Sequence, residues 1–349
     1  MSAQSLPYSQ PVTEPTPLIV SFRVLLGLYA IIPLCLLLQW SDSLFWDGFL
    51  KNHLPANPTH FFLFQLLFGT PHILASTLIL TSNSEYFQLY KSKIVLMTLL
   101  IMLVFGIGSL WLPYKALYVI SVAWTVFHVL KQQHGITRGI FKLPEWAFNS
   151  MLALSVLTGI AIYLGIFLRT SFSPEHTLIL QTFCVYACAG LIVLSLVCQR
   201  YVNDTFGKTF LWGNSFLVLS SFYLYMQHYY FLAILVPRLV HDATAYIFYV
   251  THDYNRHHQQ PQNALYTWAK RCNLHVFLVL PGLSFGLAFL LQNFGDGLIS
   301  SLTQALFGTE LQKAVTLGLI GYFSLMHYYT EAFTWKFGSP YRRFISFKK

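Results

Sequence analysis

Apolar runs of about twenty residues each divide this chain almost from end to end, leaving little polar sequence from which a soluble domain could be built. A bilayer core is crossed by roughly 20 apolar helical residues. Inside it, every backbone N–H and C=O must be satisfied within a helix or a closed barrel. The runs fall near 18–40, 59–81, 93–112, 114–133, 147–168, 177–198, 209–228, 230–251, 274–293 and 313–335. Only 9% of residues are charged and mean hydropathy is +0.55, whereas a soluble domain carries about a quarter charged residues. The expected fold class is therefore all-α: a polytopic transmembrane helical bundle of about ten spans. The stretch "MQHYYF" must turn between the seventh and eighth runs; one long kinked segment there would leave nine.

Three segments follow. Residues 1–17 are rich in Pro and Ser and have no Lys or Arg, so they read as a disordered tail. Residues 18–336 read as a single transmembrane helical domain, and 337–349 as a basic cytoplasmic tail. The first apolar run lacks the basic flank and small-residue cleavage site of a signal peptide.

The distribution of Lys and Arg gives an orientation. With the N-terminus placed inside, the inner set is Arg23, Lys91, Lys93, Lys131, Arg138, Lys142, Arg200, Lys208, Arg256, Lys270, Arg271, Lys336, Arg342, Arg343, Lys348 and Lys349. The outer set is Lys51, Lys115, Arg169 and Lys313, while Arg238 lies within a span. This bias predicts that both termini are cytoplasmic. The net charge of +9 thus belongs to membrane loops and implies no nucleic-acid partner. Cys35, Cys184, Cys188, Cys198 and Cys272 show neither metal spacing nor a disulfide framework.

Orientation also sorts the thirteen histidines. His53, His60, His176 and His228 fall near the outer face. Spans two, four, eight and ten run inward, and each carries a histidine in its inner half: His72, His128, His241 and His327. His252 follows at the inner end of span eight. His241 and His252 are eleven residues apart, which puts them on one helical stripe. His327 and Glu331 share a face at i,i+4, as do Asp253 and His257. In "FHVLKQQHG" the glycine can end a helix and fold His134 back toward His128.

Ionisable groups inside a membrane are costly and mark function, and neutral imidazole is the commonest metal ligand. Several imidazoles with one or two carboxylates suit iron ahead of zinc or copper. The expected cofactor is non-haem iron, one or two ions, with His72, His128, His241, His252, His327, His257 and His258 as metal ligands and Glu331 and His134 as catalytic groups. A hydrated interface, or contact with lipid phosphate, also accounts for His134, His257 and His258. Arg238 and Asp242, four residues apart, form an internal pair, or Asp242 orients a ligand from another helix. Expected partners are a hydrophobic lipid-like substrate, membrane lipids and an electron donor. The expected location is a bacterial inner membrane, with the metal toward the cytoplasm.

The pattern resembles the histidine-rich integral-membrane iron oxygenases. "HVLKQQH" and "HDYNRHH" are similar to the histidine boxes of membrane fatty-acid desaturases and hydroxylases, each longer than the family spacing; a clear third box is missing, though "MHYYTEAF" stands in its place with one histidine. "FGTPHILAS" around His72, with one histidine per span, is similar to the bacterial Brp/Blh-like carotene-cleaving dioxygenases, although the Gly-Ala-Leu-Asp pattern that follows there is absent. Either resemblance implies a non-haem iron oxygenase, dioxygenase or desaturase acting on a lipid or isoprenoid-like substrate. Two other classes fit parts of the sequence: a membrane acyl- or glycosyltransferase with one catalytic histidine, and a haem-carrying or proton-coupled transport protein.

Overall fold

The computed structural model describes residues 17–56, 61–336 and 338–349. The predicted N-terminal tail up to residue 16, and His60, lie outside them. The fold is all-α. Nine long helices are α1 (Phe22–Phe45), α2 (Phe62–Ser82), α3 (Ser84–Leu110), α4 (Tyr114–Thr137), α5 (Glu145–Phe167), α6 (Pro174–Tyr201), α7 (Thr205–Met226), α8 (Tyr230–His257) and α9 (Val276–Phe307). A tenth, α10, opens with the wide turn Ala314–Leu319 and continues as Ile320–Thr334.

Seven of these are long and apolar enough to cross a membrane, against the ten spans predicted: α1, α2, α3, α5, α6, α8 and α9. The other three occupy predicted positions but are too polar to count by composition. α4 carries Lys115, Lys131, Gln132, Gln133 and two histidines; α7 carries Asn214, Ser215, Ser220 and Ser221; α10 carries a run of tyrosines with His327 and Glu331. Apart from the exposed Lys115 and Lys131, most of these polar groups are buried within the bundle. Seven long apolar helices are consistent with a membrane-associated bundle.

Burial orders the helices. α8 is 67% buried and α2 61%, against 11% for α3 and 22% for α6 and α9. α8 is therefore the central post, packed against α1, α2, α4, α7 and α9, and α3, α6 and α9 form the periphery. Outer residues such as Leu96, Leu99 and Leu103 on α3 and Ile179 and Val193 on α6 are exposed. An apolar belt of this extent is unfavourable against water and natural against hydrocarbon.

Local chemistry sets the breaks. The α7–α8 junction turns at His228, whose φ of 64° is left-handed, so two helices and not one kinked segment occupy this stretch. Asp204 caps α7 by accepting from Gly207 N–H at 2.6 Å. Inside α8, Pro237 has no N–H for the carbonyl of Ala233, and the Ser221 hydroxyl on α7 donates to that carbonyl instead. The α8 helix thus continues to His257 without leaving an orphaned acceptor. Wide π-turns interrupt α2 at Gln65–Gly69, α3 at Met102–Gly106 and α9 at Leu291–Gly295. Asp296 caps the α10 opening through Val315 N–H (2.7 Å) and Thr316 N–H (3.1 Å).

The segment expected as a basic tail folds back over 338–349, burying Tyr341 and Ile345. Its strand β2 (Ser346–Lys348) pairs in parallel with β1 (Ile19–Ser21). Asn255 of α8 fastens both, accepting from Leu18 N–H at 2.7 Å and donating to the carbonyls of Leu18 and Phe344 at 2.8 Å.

α4 and α5 approach closely at Gly159, where an added Cβ would lie 2.8 Å from Val126 Cγ1 and 3.1 Å from Leu130 Cδ1. Gly159→Ala is expected to destabilise the bundle by about 1–3 kcal/mol through overpacking. A thermal unfolding scan in detergent should show a lower midpoint, and an unchanged midpoint would contradict this packing.

Candidate metal centre

Four helices bring one imidazole each to a common point: His72 from α2, His128 from α4, His241 from α8 and His327 from α10. All four are buried. Their ring centroids form a closed quadrilateral: His72–His327 4.9 Å, His327–His128 5.1 Å, His128–His241 4.8 Å and His241–His72 5.7 Å. The His241–His327 diagonal is 6.3 Å. With metal–nitrogen bonds of about 2.0–2.1 Å, rings around one ion have centroids about 5 Å apart if tetrahedral, or about 4.5 and 6.4 Å if square. Three of the four edges match the single-ion spacing, whereas the His241–His72 edge is wider, so the donors divide into two sets that share His241.

A carboxylate stands at each of two edges. Glu331 Oε2 lies 3.1 Å from His128 Nε2 and 3.9 Å from His327 Nε2. Asp242 Oδ1 lies 3.5 Å from His72 Nε2 and 3.9 Å from His241 Nε2. Two donor sets result, His128–His241–His327–Glu331 and His72–His241–Asp242, with donor atoms within 4.8 Å of one another in each.

Most of the donor atoms lack a hydrogen-bond partner. Nε2 of His72, His128 and His327, both nitrogens of His241 and both oxygens of Asp242 are buried without a hydrogen-bond partner. Each orphaned buried polar atom costs about 1–3 kcal/mol. Such a concentration in one place is what a cation would relieve.

Surrounding groups fix the donors. The His72 ring meets the Phe68 carbonyl through Nδ1 at 2.7 Å, which assigns the proton to Nδ1 and leaves the Nε2 lone pair facing the centre. Glu331 accepts from Gln132 Nε2 at 3.1 Å, from Trp335 Nε1 at 2.7 Å and from the Tyr249 hydroxyl. Arg238 Nη2 lies 3.5 Å from Asp242 Oδ2, the pairing that their spacing suggests. Asp242 therefore serves both readings made of it, facing Arg238 with one oxygen and His72 with the other.

The remaining predicted residues lie elsewhere. His252 is on the same α8 stripe as His241, but eleven residues of helix raise it about 16 Å along the axis, too far to share an ion. It sits 2.9 Å from the Tyr86 hydroxyl and stacks on Tyr341 at 4.1 Å. His257 stacks on Tyr266 at 3.8 Å and accepts from Gln262 N–H at 3.1 Å, so its lone pair is used. His258 turns its Nδ1 to the carbonyls of Tyr254 and Asn255. His134 does not fold back, because α4 continues through Gly135 to Thr137; its Nε2 lies 3.2 Å from Ser155 Oγ. Tyr249, Trp335 and Gln132 escape sequence reasoning: each reaches Glu331 from an otherwise ordinary aromatic or polar helical position.

Comparison of the chain with protein-family models, with curated proteins and with solved structures finds no match. Geometry alone defines the class: a mostly helical, partly apolar protein with a buried His/Glu/Asp cluster able to hold a metal, consistent with a metal-dependent enzyme in a membrane-like fold.

His128→Ala and His327→Ala are expected to weaken binding of a divalent metal at least tenfold, whereas His252→Ala and His257→Ala should leave it unchanged. Metal titration of the purified variants measures this. Equal losses in both pairs would show that the four rings do not form the site.

Proposed function

We propose that this protein is an integral-membrane, non-haem iron oxidoreductase that oxidises a lipid or isoprenoid-like substrate, with its metal toward the cytoplasmic face. The observation that carries the reading is the convergence of four imidazoles whose Nε2 atoms lack a hydrogen-bond partner, flanked by two carboxylates, in the interior of an apolar bundle. Imidazole-rich sites with few carboxylates suit iron. The charge asymmetry of the loops supports the orientation.

Iron held by His72, His128, His241 and His327 would supply dioxygen activation, the chemistry that no side chain provides. The chain's own part is positional. Phe68 fixes the tautomer of His72, and Arg238 holds Asp242 against the His72–His241 edge. Gln132, Tyr249 and Trp335 hold Glu331 at the opposite edge, where its Oε2 is placed to take a proton from a reacting group. A narrow apolar cleft lies between α4, α5, α7 and α8, lined by Val126, Leu130, Gly159, Tyr163, Val218 and Pro237. Pro237 lies one helical turn before His241 on α8, whereas Val126 and Leu130 lie on the face of α4 away from His128. The buried apolar side chains of the bundle exclude water from the donors.

Protein purified in detergent should contain iron near one equivalent. The iron-loaded form should consume dioxygen when given a hydrophobic polyene or acyl substrate, and the zinc-exchanged form should bind metal but consume none. Full activity in metal-free protein would overturn the reading. Glu331→Gln should retain iron within about tenfold of wild type but lower turnover by about 10²–10⁴, the range for a lost proton-transfer group.

A further inference from the structure

Glu331 faces two ways. Its Oε2 meets the metal-site rings, while its Oε1 accepts from both the Tyr249 hydroxyl and Trp335 Nε1. Behind it runs a file of oxidisable rings. Tyr249 and Trp335 have centroids 5.6 Å apart, Trp335 and Tyr341 5.0 Å, and Tyr341 and Tyr86 5.5 Å. Tyr249 is itself 6.3 Å from the His327 ring. The file ends under a charged surface. Arg256 donates to the Tyr86 hydroxyl at 2.8 Å and pairs with Glu85 at 3.0 Å, and Glu85 also pairs with the exposed Arg343.

Proton acceptors match this order. Tyr249 and Trp335 both donate to Glu331. Tyr86 has Nε2 of His252 at 2.9 Å. Tyr341 lies between them, and burial pushes its phenol well above the ordinary value, so it serves as a ring and not as a proton donor. Packing alone explains aromatic contacts, but it does not require a proton acceptor at both ends of the file.

We propose that Tyr249, Trp335 and Tyr86, bridged by the ring of Tyr341, form a one-electron relay that carries oxidising equivalents from the metal site to the charged surface. This rests on the iron reading above. When dioxygen has taken one electron from the ion and no substrate is bound, Tyr249 supplies dioxygen with the second electron, giving peroxide, and gives Glu331 its phenolic proton. Trp335 then supplies an electron to Tyr249, which recovers the proton from Glu331. The electron vacancy passes from the indole through the Tyr341 ring to Tyr86, whose proton goes to His252. A thiol in the aqueous phase supplies the final electron, becoming a thiyl radical and releasing its proton to water, and His252 returns the phenolic proton to Tyr86.

The test exposes full-length ferrous protein to dioxygen without substrate or thiol. Ferric iron and aromatic radicals are followed by freeze-quench electron paramagnetic resonance, and oxidised residues by peptide mass spectrometry. The relay predicts a Tyr or Trp radical appearing with the ferric signal and oxidation at Tyr86. Trp335→Phe, which keeps a ring against Phe248 and Tyr249, should cut oxidation of Tyr86 at least tenfold while leaving that of Tyr249. Tyr249→Phe should remove both. Ferric iron forming with no aromatic radical, or with Tyr86 oxidation indifferent to Trp335, overturns the relay and leaves the iron reading standing. Iron that binds but is not oxidised overturns both.

Discussion

The interior of this bundle is organised around a desolvation problem. Four imidazoles and two carboxylates stand where neither water nor lipid headgroup reaches them, and few are paired with one another by hydrogen bonds. Burying such groups is tolerable only when something compensates. Around them the structure supplies every fixed partner that a protein can: the Phe68 carbonyl, Arg238, Gln132, Tyr249 and Trp335. What these partners leave unsatisfied is the inward face of each donor. A cation placed there turns an unfavourable cluster into the feature that ties α2, α4, α8 and α10 together, so metal binding and bundle cohesion are expected to be coupled.

α8 explains why the centre sits where it does. It contributes both His241 and Asp242, and it is the most buried of the apolar helices. Its Pro237 lies one turn before His241, and its broken hydrogen bond is repaired from α7 by Ser221. Its far end carries Asn255, which gathers both ends of the described chain. One helix thus fixes the depth of the donors, their angular position and the closure of the face toward which the ring file runs.

Much of this could be read from the residues, and the limits have physical causes. Span positions follow from hydropathy, since every predicted run coincides with a long helix. Seven of these helices, not ten, are apolar enough to cross a membrane; α4, α7 and α10 fall short because they carry buried polar groups. A common depth on spans running in one direction predicts convergence of His72, His128, His241 and His327, and the four rings do meet. Depth does not reveal which helices are neighbours, so Asp242, adjacent to His241 in sequence, read first as a partner for Arg238. His252 shows the opposite error: helical phase aligned it with His241, but the rise along the axis separates them. The partners of Glu331 had no signal in the sequence, because Tyr249 is one of 21 tyrosines and only three-dimensional packing distinguishes it.

The wide turn at Gln65–Gly69 makes the bearing of His72 depend on the length of the segment that precedes it. Such a turn holds one residue more than the regular spiral needs. Losing that residue would rotate everything before it by about 100° relative to everything after it. His72 would keep its neighbours in sequence and lose its bearing on the other three rings. For this segment, length is under stronger constraint than side-chain identity, and variation there is expected to substitute residues without inserting or deleting them.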